Sequence, residues 1–199
     1  MTSGTRLLLI GPPGAGKGTQ AVVLASTYKI PAISTGDIFR SNVANETELG
    51  LQVKAIMAAG EYVPDSLTNA VVENRLAEDD AKAGFLLDGY PRTTDQVHEL
   101  DRMLEAQATS LDVVVLITAN TDEVVSRLLN RAVVEGRADD TEDVIRHRLA
   151  LYEEQTAPLI ALYEKNNLVV TVDGLGAVDD VTARIIAALA AKGIAASAA

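Results

Sequence analysis

Gly11-Pro12-Pro13-Gly14-Ala15-Gly16-Lys17-Gly18-Thr19, read as GPPGAGKGT, follows the apolar run Leu7 to Ile10 and precedes the helix-compatible stretch Gln20 to Ala25. Strand, glycine-rich loop and helix, in that order, are the context in which G-x-x-x-x-G-K reads as a P-loop. Gly14 and Gly16 lack a Cβ, so the backbone can approach a ligand closely and turn its amide N–H groups inward as an anion nest. The positive end of the following helix dipole adds to that field. Lys17 is expected to place its charge on the β- and γ-phosphates of a nucleotide. The hydroxyl that usually follows the lysine comes one place later here, as Thr19 behind Gly18.

Outward from this loop, short apolar runs alternate with helical patterns. Strands are expected at 6–10, 30–34, 84–89, 112–118 and 168–173. Helices are expected at 17–28, with Thr35 or Asp37 as N-cap of one running to about Val43, at 48–59 behind Thr47 as N-cap, at 65–79, 93–106 and 121–131, and at 177–191. Another long helix, 141–165, should kink at Pro158. Gly60 and Pro64 mark one boundary, and the polar EGRADD stretch, Glu135 to Asp140, marks another. Five strands alternating with helices predict an α/β fold, a three-layer sandwich around a five-stranded parallel sheet. Ligands in such folds sit outside the carboxyl ends of the strands. Gly11, Ser34, Asp88 and Thr118 all lie at such ends, so the loops after them converge on one crevice.

The 199 residues suffice for one sizeable core and a small insertion. No apolar run approaches the ~18 residues of a membrane span, and the four apolar residues after Arg6 are too few for a signal peptide. There is no cysteine and no His/Asp/Glu grouping with zinc spacing; His98 and His147 stand alone. The net charge of −11 disfavours general binding to nucleic acid or an acidic membrane surface. These features lead us to expect a cytoplasmic monomer. Arginines outnumber lysines, 11 to 6, and Arg40, Arg92, Arg127, Arg131, Arg137 and Arg148 fall near the mouth of the expected crevice. Arginine's planar fork suits phosphate recognition. Asp88 closes an apolar strand, where P-loop proteins keep an acid for magnesium or its waters.

Four stretches together resemble the adenylate kinase family: GPPGAGKGTQ (11–20), STGDIFR (34–40), GFLLDGYPRT (84–93) with Gln96, and GRADD (136–140). They occur in the family's order along nearly the whole chain. The resemblance implies reversible, magnesium-dependent phosphoryl transfer from ATP to AMP, giving two ADP. It implies a core of residues 1–34, 64–131 and 141–199, a helical AMP-binding insertion at 35–63 and a short, zinc-free lid at 132–140. It assigns Gly14, Ala15, Gly16, Lys17, Gly18 and Thr19 to the ATP phosphates, with Arg127, Arg131 and the backbone of Gly176 also on ATP. To AMP it assigns Thr35, Gly36, Arg40, Glu61, Tyr62, Val63, Gly89, Tyr90, Pro91, Arg92 and Gln96, with Arg137 and Arg148. Lys17, Arg92, Arg131, Arg137 and Arg148 are its implied catalytic residues. Magnesium would be held through nucleotide phosphates and water, with Thr19 and Asp88 as nearby candidates. The Tyr90–Pro91 peptide resembles one the family keeps cis.

Two rival readings are a UMP/CMP-type kinase and a nucleotide-dependent switch. The first branch usually carries alanine at Thr35 and asparagine at Thr93. The second reads guanine through an N-K-x-D segment, which does not occur here, and leaves Arg40, Arg92 and Gln96 unexplained.

Overall fold

The computed structural model describes residues 4–137 and 140–196. Five parallel strands, β1 (Arg6–Ile10), β2 (Ala32–Ser34), β3 (Phe85–Asp88), β4 (Val113–Thr118) and β5 (Val169–Asp173), form one sheet in the order β2-β3-β1-β4-β5. Every residue of β1 is buried, as a central parallel strand covered on both faces requires. Its side chains alternate between two cores. Leu8 and Ile10 join Leu87 and Val114 on one face, while Leu7 and Leu9 join Leu86, Val113 and Val115 on the other.

Two helices cover the second face: α1 (Lys17–Tyr28), through Ala21, Leu24 and Tyr28, and α9 (Val178–Ala191), through Val181, Ile185 and Leu189. On the first face lie α4 (Asp65–Leu76), α5 (Thr94–Ala106) and α8 (Leu159–Lys165), placing Leu76, Leu100, Leu104 and Tyr163 against the sheet. Each of these leucines contributes about 1.5–3 kcal/mol on burial. Between β2 and α4, helices α2 (Thr35–Ala44) and α3 (Glu48–Ala58) have a small core of their own around Phe39, Val53 and Val63. The remaining helices are α6 (Thr121–Glu135) and α7 (Glu142–Leu151).

Four local outcomes differ from the sequence reading. The cap of α2 is Ser34, whose hydroxyl accepts from the Asp37 amide at 3.3 Å, rather than Thr35 or Asp37. Thr35 is committed elsewhere, donating to the Gly89 carbonyl at 2.9 Å. Helix α4 stops at Leu76, where Arg75 turns its fork onto Asp80 with two bonds of 2.7 Å. Helix α6 does not stop at Arg131 but runs on through Ala132-Val133-Val134 to Glu135 and closes at Gly136, φ 63°. The segment expected as a short lid therefore starts as helix, and its Ala138 and Asp139 lie outside the described residues. Finally, the kink expected at Pro158 takes the form of a π-turn, Tyr152–Thr156, between α7 and α8. The Ala157 amide reaches back five residues to the Tyr152 carbonyl at 2.8 Å. The widened turn suits a chain about to meet a residue with no N–H to give.

Candidate active site

The loops after β1, β2 and β3 open into one crevice of about 660 Å³, completed by α6, α7 and the insertion. The P-loop forms one wall. Gly14 (φ 82°) packs so tightly that a Cβ would lie 2.9 Å from Leu128 Cγ, and Gly16 (φ 92°) is the N-cap of α1. Both positions are left-handed, where glycine is unstrained. Lys17 folds back along the loop, donating to the carbonyls of Gly11 at 2.7 Å and Pro12 at 2.9 Å. Burial lowers its amine to about pH 8; Asp88 opposes this shift, and the charges of Arg92 and Arg131 reinforce it. Asp88 closes β3 so close to the P-loop that a Cβ on Gly18 would lie 3.7 Å from Asp88 Oδ2. Thr19 lines the same wall.

The opposite wall comes from the loop after β3 and from the insertion. Arg92 Nε donates to the Gly89 carbonyl at 2.8 Å, and the guanidinium stacks over the Tyr62 ring, 4.9 Å from its centroid. Burial draws the Arg92 guanidinium below its ordinary pKa. Gly89 sits at φ 80°, where a side chain is strained, and a Cβ there would press to 3.0 Å from both Arg92 Nη2 and Thr35 Oγ1. The Tyr90–Pro91 peptide is cis. Tyr90 turns its ring into the core, while Gly89, Pro91 and Arg92 line the crevice. Arg40 pairs with Asp37 at 2.5 Å. Burial would raise the Asp37 carboxyl, but its bond to Arg40, helped by Ser34 and the charge of Arg137, holds it below the ordinary carboxylate range. Gly36, Glu61, Tyr62, Val63, Gln96 and Arg137 also line the crevice, and Glu61 meets His147 Nε2 at 2.8 Å.

The third side is an arginine pair on one buried acid. Asp140, with no side-chain exposure, accepts from Arg131 Nε at 2.7 Å, Arg131 Nη2 at 2.9 Å and Arg148 Nη1 at 3.0 Å. Arg131 comes from α6 and Arg148 from α7, so Asp140 ties two helices together and aims two cations at the crevice. Arg127 also lines it, with Nε on Glu123 at 3.0 Å and Nη1 on the Gly174 carbonyl at 3.1 Å.

Three sequence-derived candidates do not face this space, the core-buried Tyr90 among them. Ala15 is buried beneath the loop, and Gly176 sits beside Arg184, outside the crevice lining. Conversely, Asp140, Asp65 and Thr156 carry contacts that sequence reading left without roles. Thr156 Oγ1 donates to the Arg92 carbonyl at 2.9 Å and therefore accepts from the Tyr62 hydroxyl at 2.9 Å, since a threonine has one proton to give. The only sequence signal among the three is the paired aspartate of GRADD.

Among the described residues no cluster of three carboxylates or histidines could hold a metal. A lone Asp88 and the Thr19 hydroxyl beside a phosphate nest fit magnesium, which keeps most of its waters and takes one or two carboxylates with substrate phosphates.

One polyphosphate occupies a P-loop, yet here Arg40 and Arg92 face it from across the crevice, with Arg131 and Arg148 beside them. A P-loop and an arginine-lined wall on either side of the half-buried Lys17 define a P-loop phosphotransferase. The chain matches the family profile described as adenylate kinase over residues 9–168, and it belongs to that family. It is 61% identical to an adenylate kinase from Kocuria rhizophila over 185 residues, covering 93% of this chain and 98% of that one. It is 63% identical to one from a Nocardioides species over 184 residues, covering 92% and 96%. With an adenylate kinase from Leifsonia xyli the identity is 59% over 188 residues, 94% of each chain.

Proposed function

We propose that the chain moves the terminal phosphoryl group of ATP to AMP and back, with two ADP as product, using magnesium bound to the nucleotide phosphates. The observation that carries this reading is the facing pair of anion walls. The P-loop, Gly14 to Thr19, takes the donor polyphosphate. Arg40 and Arg92 take the acceptor phosphate, and Gln96 reads the acceptor base. Arg127 supports the donor side, with Gly176 contributing backbone beyond the crevice. Thr35, Gly36, Glu61, Tyr62, Val63 and the Gly89–Pro91 turn shape the acceptor side. Lys17, Arg131, Arg137 and Arg148 neutralise charge that spreads over the transferring group. Asp88 and Thr19 would be the protein oxygens nearest a bound magnesium ion, whose charge would offset that of the phosphates.

No general base is needed, because the acceptor phosphate is already an anionic nucleophile. The protein supplies position and charge. Water competes as an acceptor, so the site must close before transfer. Residues 35–63 close over AMP and residues 132–140 over ATP, each moving against a core of 1–34, 64–131 and 141–199. The chain acts as a monomer. No described helix is long and apolar enough to cross a membrane.

Initial rates with MgATP and AMP, CMP, UMP or GMP in parallel test the reaction. Turnover is expected with AMP and should be nearly lost in Arg92→Ala. Turnover with a pyrimidine acceptor instead would refute the adenine assignment. Scattering measurements with a bisubstrate analogue test closure, which equal solution dimensions with and without the analogue would refute.

A further inference from the structure

Gln96 is 1% exposed, and both ends of its amide are committed. Its Oε1 accepts from the Arg92 backbone N–H at 2.7 Å, and its Nε2 donates to Asp65 Oδ1 at 2.6 Å. The main chain of the same residue is held too. Its N–H donates to Thr93 Oγ1 at 3.2 Å, and its carbonyl lies 3.2 Å from the Tyr90 hydroxyl. Thr93 in turn donates to the other oxygen of Asp65 at 2.9 Å. Asp65 opens α4, 31 residues before Gln96 in the chain, so the whole of β3 and its following turn separate the two.

We propose that Asp65 is a specificity-determining positioning residue: by accepting from Gln96 and Thr93 it fixes which end of the Gln96 amide is donor and which is acceptor, and so sets the acceptor site for a 6-amino purine against a 6-oxo purine. This rests on the reading that Gln96 faces the acceptor base.

An amide is nearly symmetric in shape and antisymmetric in hydrogen bonding. Turned over, Gln96 would place its oxygen against the Asp65 carboxylate, which only accepts, and its NH₂ against the Arg92 N–H, which only donates. Two bonds would become two repulsions in a buried place, so one orientation persists. In that orientation the amide keeps one N–H and one lone pair without partners among the described residues. Adenine presents a 6-amino donor beside the N1 acceptor, the complement of that pair. Hypoxanthine and guanine present a 6-oxo acceptor beside an N1–H donor, the complement of the reversed amide. Discrimination by hydrogen-bond polarity is strong, because the wrong base leaves buried groups unpaired.

Asparagine at position 65 keeps the shape but can present NH₂ as well as oxygen to Gln96, so reversal costs one mismatched contact instead of two. The test is kcat/KM for AMP and for IMP at saturating MgATP, in the parent, Asp65→Asn, Asp65→Glu and Gln96→Ala. The ratio of the two constants, AMP over IMP, is expected to fall by about tenfold in Asp65→Asn. The change should lie in KM while kcat for AMP is largely kept. Asp65→Glu, which retains an acceptor-only group, should restore part of the ratio.

If Asp65→Asn lowers both constants by the same factor, Asp65 is merely structural and the proposal fails. If Gln96→Ala collapses the ratio while Asp65→Asn leaves it intact, Gln96 reads the base but Asp65 does not orient it. If Gln96→Ala leaves the ratio unchanged, the underlying assignment of Gln96 to the base falls, and the proposal falls with it.

Discussion

Replacing Asp140 with asparagine keeps its shape but removes its charge and turns one acceptor into a donor facing arginine. In the parent, three N–H groups from Arg131 and Arg148 converge on its carboxylate at 2.7, 2.9 and 3.0 Å. Breaking a buried ion pair by removing one partner costs about 3–5 kcal/mol. Here the arginines are 28% and 18% exposed, so they regain some hydration when released. A loss of about 2–3 kcal/mol is the reasonable figure, and for a chain of this size it corresponds to a fall of roughly 5–10 °C in melting temperature. The ligand should alter this deficit. A bisubstrate analogue brings phosphates that can stand in for the lost carboxylate beside Arg131 and Arg148, so the difference in melting temperature should narrow at saturating analogue. Turnover should still fall, by roughly tenfold to a hundredfold, because the cations are no longer held in place before the phosphates arrive. Thermal unfolding with and without analogue, beside initial rates, measures all three quantities. An Asp140→Asn protein that melts within a degree of the parent and turns over at the parental rate would refute the view that this carboxylate organises the clamp.

Lys17 gives a pH signature. Burial lowers its amine to about 8 from 10.5. The folded state therefore holds a costly ammonium below pH 8, and that cost relaxes as pH rises from about 8 to 10.5; over that window this group alone makes stability increase. Nucleotide phosphates favour the ammonium, so ATP binding near pH 8.5 should take up protons. Calorimetry in two buffers of different ionisation heat reads the uptake, and identical heats would count against it. Thr156→Val removes the partner of the Tyr62 hydroxyl and of the Arg92 carbonyl; about 1–3 kcal/mol of stability should go, and KM for AMP should rise several-fold. An unchanged melting temperature and KM would show that this junction is idle. Gly50→Ala would set a Cβ 2.1 Å from the Asn42 carbonyl oxygen. It should force α2 and α3 apart and open the insertion to limited proteolysis, whereas parental resistance would show that the two helices can shift freely.

The central sheet, the P-loop and α1 were legible because each has a local cause: a run of buried aliphatics, glycines where the chain turns left-handed, and an apolar helical face. The extension of α6 was not. Val133 and Val134 are 83% and 74% exposed, so the added turn buries almost nothing and shows no periodicity to read. The sequence offered Thr35 or Asp37 as the cap of α2, but Ser34 holds that place and Thr35 is taken by Gly89, 54 residues away. In the site, the arginines stood out by type and place. The carboxylates that hold the site in order did not. Asp140 serves α6 and α7 at once, and Asp65 reaches Gln96 across a strand and a turn. Such partnerships exist only after folding, and no spacing rule announces them.

The π-turn carries a consequence for chain length. It fits one more residue between α7 and α8 than a regular helix of the same rise would hold, and each residue of an α-helix advances about 100° around the axis. The two helices are therefore rotated out of phase. Ile145 and Leu149 point to the small core around α6, whereas Leu159 and Tyr163 point to the sheet. Removing one residue from the turn would return it to regular α-helical winding and leave the apolar teeth of α8 on the sheet, whereas adding a further residue would turn α8 like a misaligned gear and sweep them off it. Changing the exposed Glu153 or Glu154 would leave that phase alone. In this stretch the count of residues matters more than their kind.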